Sequence, residues 1–237
     1  MNSKLVAKID KYHAMTKEEL AEKFDCKPSE ICIGDYIARE TDDKVCPYKV
    51  ITGFANFEGS DVESLGKLEI VIGKKLKDNN GKITDLKHYP IYYAFNIRGS
   101  KIKDLGKLKK VYGTFAINEN VESLGNLIFL GSNLNISNLN LKDLGKLETV
   151  DGMLSMLDDS IPCQIESLGN LKRVRHLIVK TKSLKDFGKL EETKQIFISP
   201  GCNKQLLELY NKYFIQKKKR CNKIEAQRIE TDETVTI

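Results

Sequence analysis

A short motif centred on a Leu-Gly pair recurs along most of this chain and constrains its fold more than any other feature. The clear copies are ESLGKLEIV (63–71), KDLGKLKKV (103–111), ESLGNLIFL (122–130), KDLGKLETV (142–150), ESLGNLKRV (166–174) and KDFGKLEET (185–193). With a degenerate copy, TDLKHYP, centred on Leu86, the residues that precede the glycine are separated by 21, 19, 19, 20, 24 and 19 positions. A unit of this length cannot bury its own apolar side, so the period predicts a solenoid of stacked coils.

Each position within the motif has a physical interpretation. The residue before the central leucine is Ser or Asp, as at Ser123 and Asp143, and these side chains accept hydrogen bonds from the free N–H groups of a turn. Apolar residues then follow three apart, as in Leu105, Leu108 and Val111, which favours one face of a 3₁₀-like turn. The glycine after the leucine indicates a positive φ or a close approach to the next coil.

A short stretch of alternating apolar and polar residues follows each turn, which predicts a strand with one buried side. The residues expected to point inward are Phe95/Ile97, Phe115/Ile117, Leu134/Ile136, Leu154/Met156, Leu177/Val179 and Ile196/Ile198. One coil is therefore expected to contain a strand, a loop and a 3₁₀-like turn. Stacked coils would align their strands in one parallel sheet.

This pattern resembles the leucine-rich-repeat family, in its short SLGxLxxVxGxLxI variety that recurs in bacterial and phage proteins. The resemblance covers about residues 48–200. It implies an α/β solenoid, a leucine-rich-repeat-like stack of about seven to eight coils. The family's ladder asparagine is matched only loosely, by Asn120 and Asn138, and a parallel β-helix with coils of similar length is the alternative.

The two ends of the chain are predicted to cap the solenoid, whose terminal coils would otherwise expose apolar surface. Residues 1–47 contain a capping box, Thr16 with Glu19, at the start of a helical segment. Pro200-Gly201 ends the last strand, and residues 201–237 hold a helical pattern with an apolar stripe. The expected organisation is therefore an N-terminal helical cap (1–47), a solenoid (48–200) and a C-terminal capping helix with a tail (201–237).

Composition limits the kinds of protein that the chain can be. It has no apolar run long enough to span a membrane and no signal-peptide pattern at its first residues, so we expect a cytoplasmic protein with reduced cysteines. The formal net charge is +6, and residues 203–229 carry eight Lys or Arg against two Glu. This basic segment, centred on Lys217, Lys218, Lys219 and Arg220, is either a solvated helix face or a site for an acidic partner or nucleic acid.

The sequence holds no recognisable catalytic, cofactor or metal motif. Its three histidines, His13, His88 and His176, lie in different segments, and no cysteine spacing is typical of zinc ligands. We therefore expect neither an enzyme nor a cofactor.

The outward side of the strands is the expected binding surface, because its residues are not determined by core packing. Its first half is small and polar, whereas its second half is apolar with a polar border, which is typical of protein interfaces. The predicted partner-binding residues are Asn96, Arg98, Asn118, Asn135, Met153, Leu157, His176, Ile178, Lys180 and Phe197. The longest coil adds a second candidate contact, the insertion at residues 157–164.

Three functions compete at this point. The first is a non-catalytic protein-binding module, an adaptor or inhibitor, and the family resemblance places it in phage–host or pathogen–host conflict. The second is a nucleic-acid-associated protein that uses Lys217–Arg220, although the solenoid shows little of the basic and aromatic mixture of a stacking platform. The third is an enzyme scaffolded by the solenoid. We expect the first, with another protein as the partner, and the same face would also serve self-association.

Overall fold

The fold is a parallel β-solenoid of about seven turns with few helices. The computed structural model describes residues 3–75, 92–137, 140–158, 162–199, 202, 204–211 and 235–236. Its α-helices are α1 (Ser3–His13), α2 (Lys17–Lys23) and α3 (Lys204–Tyr210), and single turns of 3₁₀ helix lie at Pro28–Glu30 and Ala38–Glu40. None of these helices is long and apolar enough to cross a membrane.

The strands are short and follow one another closely. In chain order they are β1 (Ile31–Ile33), β2 (Tyr36–Ile37), β3 (Val50–Thr52), β4 (Ala55–Asn56), β5 (Ile70–Ile72), β6 (Lys74–Lys75), β7 (Tyr92–Asn96), β8 (Lys110–Tyr112), β9 (Thr114–Ala116), β10 (Phe129–Leu130), β11 (Leu134–Asn135), β12 (Thr149–Leu157), β13 (Arg173–Lys180), β14 (Gln195–Ile198) and β15 (Val235–Thr236).

Most coils contribute two strands, which form two faces of the solenoid. The first face contains β1, β3, β5, β8, β10 and the beginnings of β12 and β13. The second face contains β2, β4, β7, β9, β11, the ends of β12 and β13, and β14. Neighbouring coils pair in parallel, for example Ile70–Ile72 with Lys110–Tyr112.

The prediction of one strand per coil was therefore wrong. The residues before and after a bend, as in KVY-G-TFA (110–116), form separate strands on the two faces. Glycine occupies several of these bends because neighbouring coils come too close there for a side chain. A Cβ on Gly53 would lie 2.1 Å from the carbonyl oxygen of Gly34, and one on Gly152 would lie 2.6 Å from the carbonyl carbon of Ser132.

The Leu-Gly motif forms a hydrogen-bonded turn on the remaining side of each coil. The N–H of Leu108 donates to the carbonyl of Leu105 at 3.0 Å, and Gly106 between them has a φ of 55°. The i to i+3 hydrogen bond agrees with the expected spacing, but the left-handed glycine makes this a β-turn and not a 3₁₀ turn. The predicted role of Ser and Asp is confirmed, since Asp104 accepts the N–H of Gly106 at 2.6 Å and Ser123 accepts that of Gly125 at 3.1 Å.

A single core fills the interior of the solenoid. The leucines of the turns and all the strand residues predicted to point inward are buried in it. The third apolar position of the motif, as in Val111 and Val150, belongs to a first-face strand and is fully buried. Its β-branched side chains suit a strand better than a tight turn.

Helix α1 lies across the outward side of the first face. Its buried residues Leu5, Ile9 and Tyr12 form a second core with first-face side chains that include Val50, Ile70, Ile72 and Tyr112. The Nε2 atom of His13 is hydrogen-bonded to the carbonyl of Gly73 at 2.9 Å, which holds the end of the helix to a bend. The segment 1–47 also contains β1 and β2, which pair with β3 and β4, so the solenoid begins inside the predicted N-terminal cap.

At the other end, α3 packs against the last coil. Leu206 and Tyr210 of this helix are buried in the main core, and the ring of Tyr210 lies 6.5 Å from that of Phe187. Strand β15 pairs antiparallel with β14, Phe197 opposite Thr236. The edge of β14 is therefore hydrogen-bonded rather than open.

Candidate partner-binding face

Four large apolar side chains lie near one another on the outward side of the second face. They are Met153, Leu157, Ile178 and Phe197, here called the apolar patch, and each is half-buried. Ile178 stands directly opposite Phe197 in the register of β13 and β14. Ser155 stands opposite Ile178 in β12, between Met153 and Leu157. Ile178 and Phe197 are therefore direct cross-strand neighbours, whereas Met153 and Leu157 are diagonal neighbours of Ile178, a distance that long side chains can reach.

Polar residues border the apolar patch. His176 lies between Met153 and Gln195, and Lys180 lies opposite Leu157. Burial lowers the pKa of His176 below its usual 6.5, and the nearby charges of Arg175 and Lys194 also lower it, whereas a hydrogen bond with the Gln195 side chain acts in the opposite direction. His176 is therefore predominantly neutral at neutral pH and adds little charge to the border.

The remaining predicted residues do not join the patch. Asn96 lies on β7, which is three strands from β12, or ~14 Å at the usual strand spacing. Its amide donates to Glu58 at 3.0 Å and its carbonyl accepts the N–H of Arg98 at 3.1 Å. Asn135 is exposed and closes the same kind of turn with the N–H of Ser137 at 3.0 Å. These asparagines stabilise the ends of strands.

The predicted outward orientation is wrong for the side chain of Asn118. Its side chain was expected to point outward, but it is fully buried. The amide donates to the carbonyl of Ser100 on the preceding coil at 2.6 Å, and the side-chain oxygen accepts the N–H of Asn120 at 3.1 Å. Asn118 therefore links two coils, a role for which the family resemblance offered Asn120 and Asn138, of which Asn138 lies outside the described residues. The missed signal was an asparagine at the first position of a turn, directly after the alternating strand pattern, where the N–H of Val121 donates to the carbonyl of Asn118 at 3.2 Å.

The insertion predicted as a second contact, residues 157–164, is described only in part. Asp158 accepts the N–H of Cys163 at 3.0 Å and that of Lys182 at 3.2 Å. Burial raises the pKa of Asp158, but these hydrogen bonds and one from Thr181 outweigh it and hold the pKa below its usual range. This carboxylate ties the insertion to the next coil.

The basic segment Lys217, Lys218, Lys219 and Arg220 lies outside the described residues. Its predicted role in binding nucleic acid stays a prediction.

Metal ligands and reactive cysteines are the remaining chemistry that the described residues could offer. Within them, no group of three or more His, Cys, Asp and Glu side chains could hold a metal ion. Burial raises the pKa of the Cys46 thiol to about 12, and burial also raises the pKa of Cys26, Cys32 and Cys202. A nucleophilic cysteine needs the opposite shift, so these four groups are thiols at neutral pH.

Comparison with known proteins gives no independent guide to this face. No protein-family model, no curated protein and no solved structure matches the chain significantly.

Proposed function

We propose that this protein is a non-catalytic binding module whose apolar patch contacts another protein. The observation that carries the proposal is the direct pairing of Ile178 with Phe197 on an outward strand surface, with Met153 and Leu157 beside them. Large apolar side chains with a polar border are what protein interfaces bury at their centre. In the polar first half of the face, the side chains of Asn96 and Asn135 instead accept backbone hydrogen bonds within turns.

The type of repeat and the role of the terminal helices are part of the same proposal. We infer a leucine-rich-repeat-like solenoid with a helical cap at each end. The buried turn leucines support the repeat, and the contact of α3 with the last coil supports the C-terminal cap. The core that Leu20 and Ala21 of α2 share with Ile31 of the first strand supports the N-terminal cap.

The test of the C-terminal cap is Leu206→Asp, which would place a charge in the contact of α3 with the last coil. We expect faster hydrogen exchange in β14 and unchanged exchange in β5. Equal protection of β14 in both proteins would contradict a capping role for α3.

The biological setting rests on the family resemblance alone, which is a weaker basis than a site. It favours an adaptor or inhibitor in phage–host or pathogen–host conflict, and the cytoplasm is the location that we propose for it.

The first experiment is affinity capture from host lysate, followed by titration of the captured protein in purified form. The test variant is Ile178→Asp/Phe197→Asp. Ala7→Asp/Ser29→Asp is the matched control, since it adds the same two charges at exposed positions away from the second face. We expect a protein that binds wild type and the control with equal affinity and the test variant at least about tenfold more weakly, because buried interface anchors are each worth more than 1 kcal/mol.

Two other outcomes would identify different functions. A concentration-dependent dimer that the test variant abolishes would show that the patch serves self-association. Recovery of nucleic acid alone, lost at high salt and unchanged by the substitutions, would support the alternative function of the segment Lys217–Arg220.

A further inference from the structure

A cavity lies between the first turn of α1 and the outward side of the first face. Its volume is about 320 Å³. Lys4, Leu5 and Lys8 line it from the helix, and Lys110, Tyr112, Phe129, Asp151 and Arg173 line it from the strands. The apolar patch is on the second face, so the cavity is a separate surface.

The lining of this cavity is strongly basic. Four cationic side chains face one carboxylate, which gives +4 − 1 = +3. Asp151 already lies 3.8 Å from the guanidinium of Arg175, and Arg173 lies 3.9 Å from the exposed carboxylate of Glu192. In the described part of the chain, the ammonium groups of Lys4, Lys8 and Lys110 have no ion-pair partner. An anion in the cavity would be attracted by all four of these cations at once.

Two aromatic rings form an apolar wall beside these charges. The rings of Tyr112 and Phe129 lie 5.1 Å apart, and the ammonium of Lys8 stands 5.3 Å from the centre of the Tyr112 ring. Phe129 is half-buried, unlike the buried inward residue Leu130 beside it. A flat ligand can therefore reach an aromatic surface while its anionic group stays among the cations.

We propose that this cavity binds a nucleoside monophosphate, with the phosphate held by Lys4, Lys8, Lys110 and Arg173 and the base against Phe129. The doubly charged phosphate offsets most of the excess positive charge of the lining. The volume is at the lower end of the range of about 300–1,000 Å³ for small-ligand sites, which favours a mononucleotide over a larger cofactor.

The test is calorimetric titration of the full chain with adenosine monophosphate, adenosine and inorganic phosphate. We expect saturable binding of the nucleotide with a dissociation constant below about 1 mM and weaker binding of either part alone. Lys110→Gln/Arg173→Gln should weaken nucleotide binding about tenfold or more, because charge-assisted contacts to phosphate are the strong ones. Phe129→Leu should weaken binding of the nucleotide but not of phosphate.

The matched control is Lys103→Gln/Lys107→Gln, which removes the same two charges from exposed positions beside a turn. Equal loss of affinity in both charge variants would overturn the proposal, since it would show general attraction to a basic protein. Equal affinity for phosphate and nucleotide would overturn the nucleotide assignment, and so would tighter binding of a single-stranded oligonucleotide that the cavity variants leave unchanged. Because the apolar patch is elsewhere, Ile178→Asp/Phe197→Asp should bind nucleotide normally, so the two proposals can fail independently.

Discussion

The hydroxyl of Ser123 donates a hydrogen bond of 2.6 Å to Oδ1 of Asp143, the equivalent residue of the next coil. The same oxygen accepts the N–H of Gly145 at 2.7 Å. The next pair of coils repeats the arrangement with Ser167 and Asp186, also at 2.6 Å. The two forms of the motif, ESLGN and KDLGK, are therefore complementary, since the donor of one coil meets the acceptor of the next.

The neighbouring positions of the motif are complementary in the same way. Lys142 lies 2.6 Å from Glu122, and Lys185 lies 2.7 Å from Glu166. Lys146 and Lys189 donate to the asparagines of the preceding coils, Asn126 and Asn170. If a coil stacked on the coil after next instead of on its neighbour, Glu would face Glu and Lys would face Lys. The alternation therefore favours the observed stacking order.

Removing the hydrogen bond between Ser123 and Asp143 should destabilise the stack modestly. We expect Ser123→Ala and Asp143→Ala each to lower the free energy of unfolding by about 1 kcal/mol, because these bonds are exposed to solvent. In a double-mutant cycle measured by urea unfolding, the two changes should be coupled by about 0.5 kcal/mol or more. Purely additive effects would contradict an energetic role for the ladder. Glu191→Ala, at an exposed position, is the control.

Two glycines of the motif should respond differently to the same substitution. Gly145 and Gly169 have nearly equal positive φ values, 55° and 56°, so alanine is strained by about 1–2 kcal/mol at either. A Cβ on Gly145 would also lie 2.5 Å from the backbone nitrogen of Gly125, whereas one on Gly169 meets nothing within 4 Å. Gly145→Ala should therefore lower the unfolding free energy by about 1–3 kcal/mol more than Gly169→Ala. Equal melting temperatures would show that the coils separate easily at Gly125.

Helix α1 should depend on Ile9 for its position on the first face. Ile9 is fully buried in the second core. We expect Ile9→Ala to cost about 2–4 kcal/mol and to increase hydrogen exchange in α1 and β5. Lys11→Ala, at an exposed position of the same helix, should change neither. Unchanged protection of β5 in Ile9→Ala would indicate that the sheet does not need the helix.

His176 should make stability depend on pH. Burial lowers its pKa in the folded state below 6.5, so the unfolded chain takes up a proton first as the pH falls. The contribution of neutral His176 to the free energy of unfolding is complete above pH 6.5. It is lost as the pH falls from there through the folded-state pKa. Urea unfolding between about pH 7.5 and 5 should therefore show a smaller loss of stability in His176→Gln than in wild type. The same slope in both proteins would contradict this assignment.

Local and periodic features of this protein could be predicted from its sequence. The six clear turn positions, the inward strand residues and the Ser and Asp caps agree with the structure, because each depends on residues close in the chain and on a spacing repeated many times. The degenerate copy centred on Leu86 lies outside the described residues, and the direct pairing of β5 with β8 leaves no room for a coil between them. Part of the candidate site follows from the same alternation, since Met153, Ile178 and Phe197 were expected to point outward.

Only the tertiary structure decided how the coils bend and what covers them. The alternation in KVYGTFAIN (110–118) does not reveal two faces, because the bend at Gly113 depends on stacking against the neighbouring coils. The inward position of Asn118 depends on a carbonyl eighteen residues away. The place of α1, and with it the basic cavity, depends on outward residues of β3, β5, β8 and β10, which meet only after the coils have stacked.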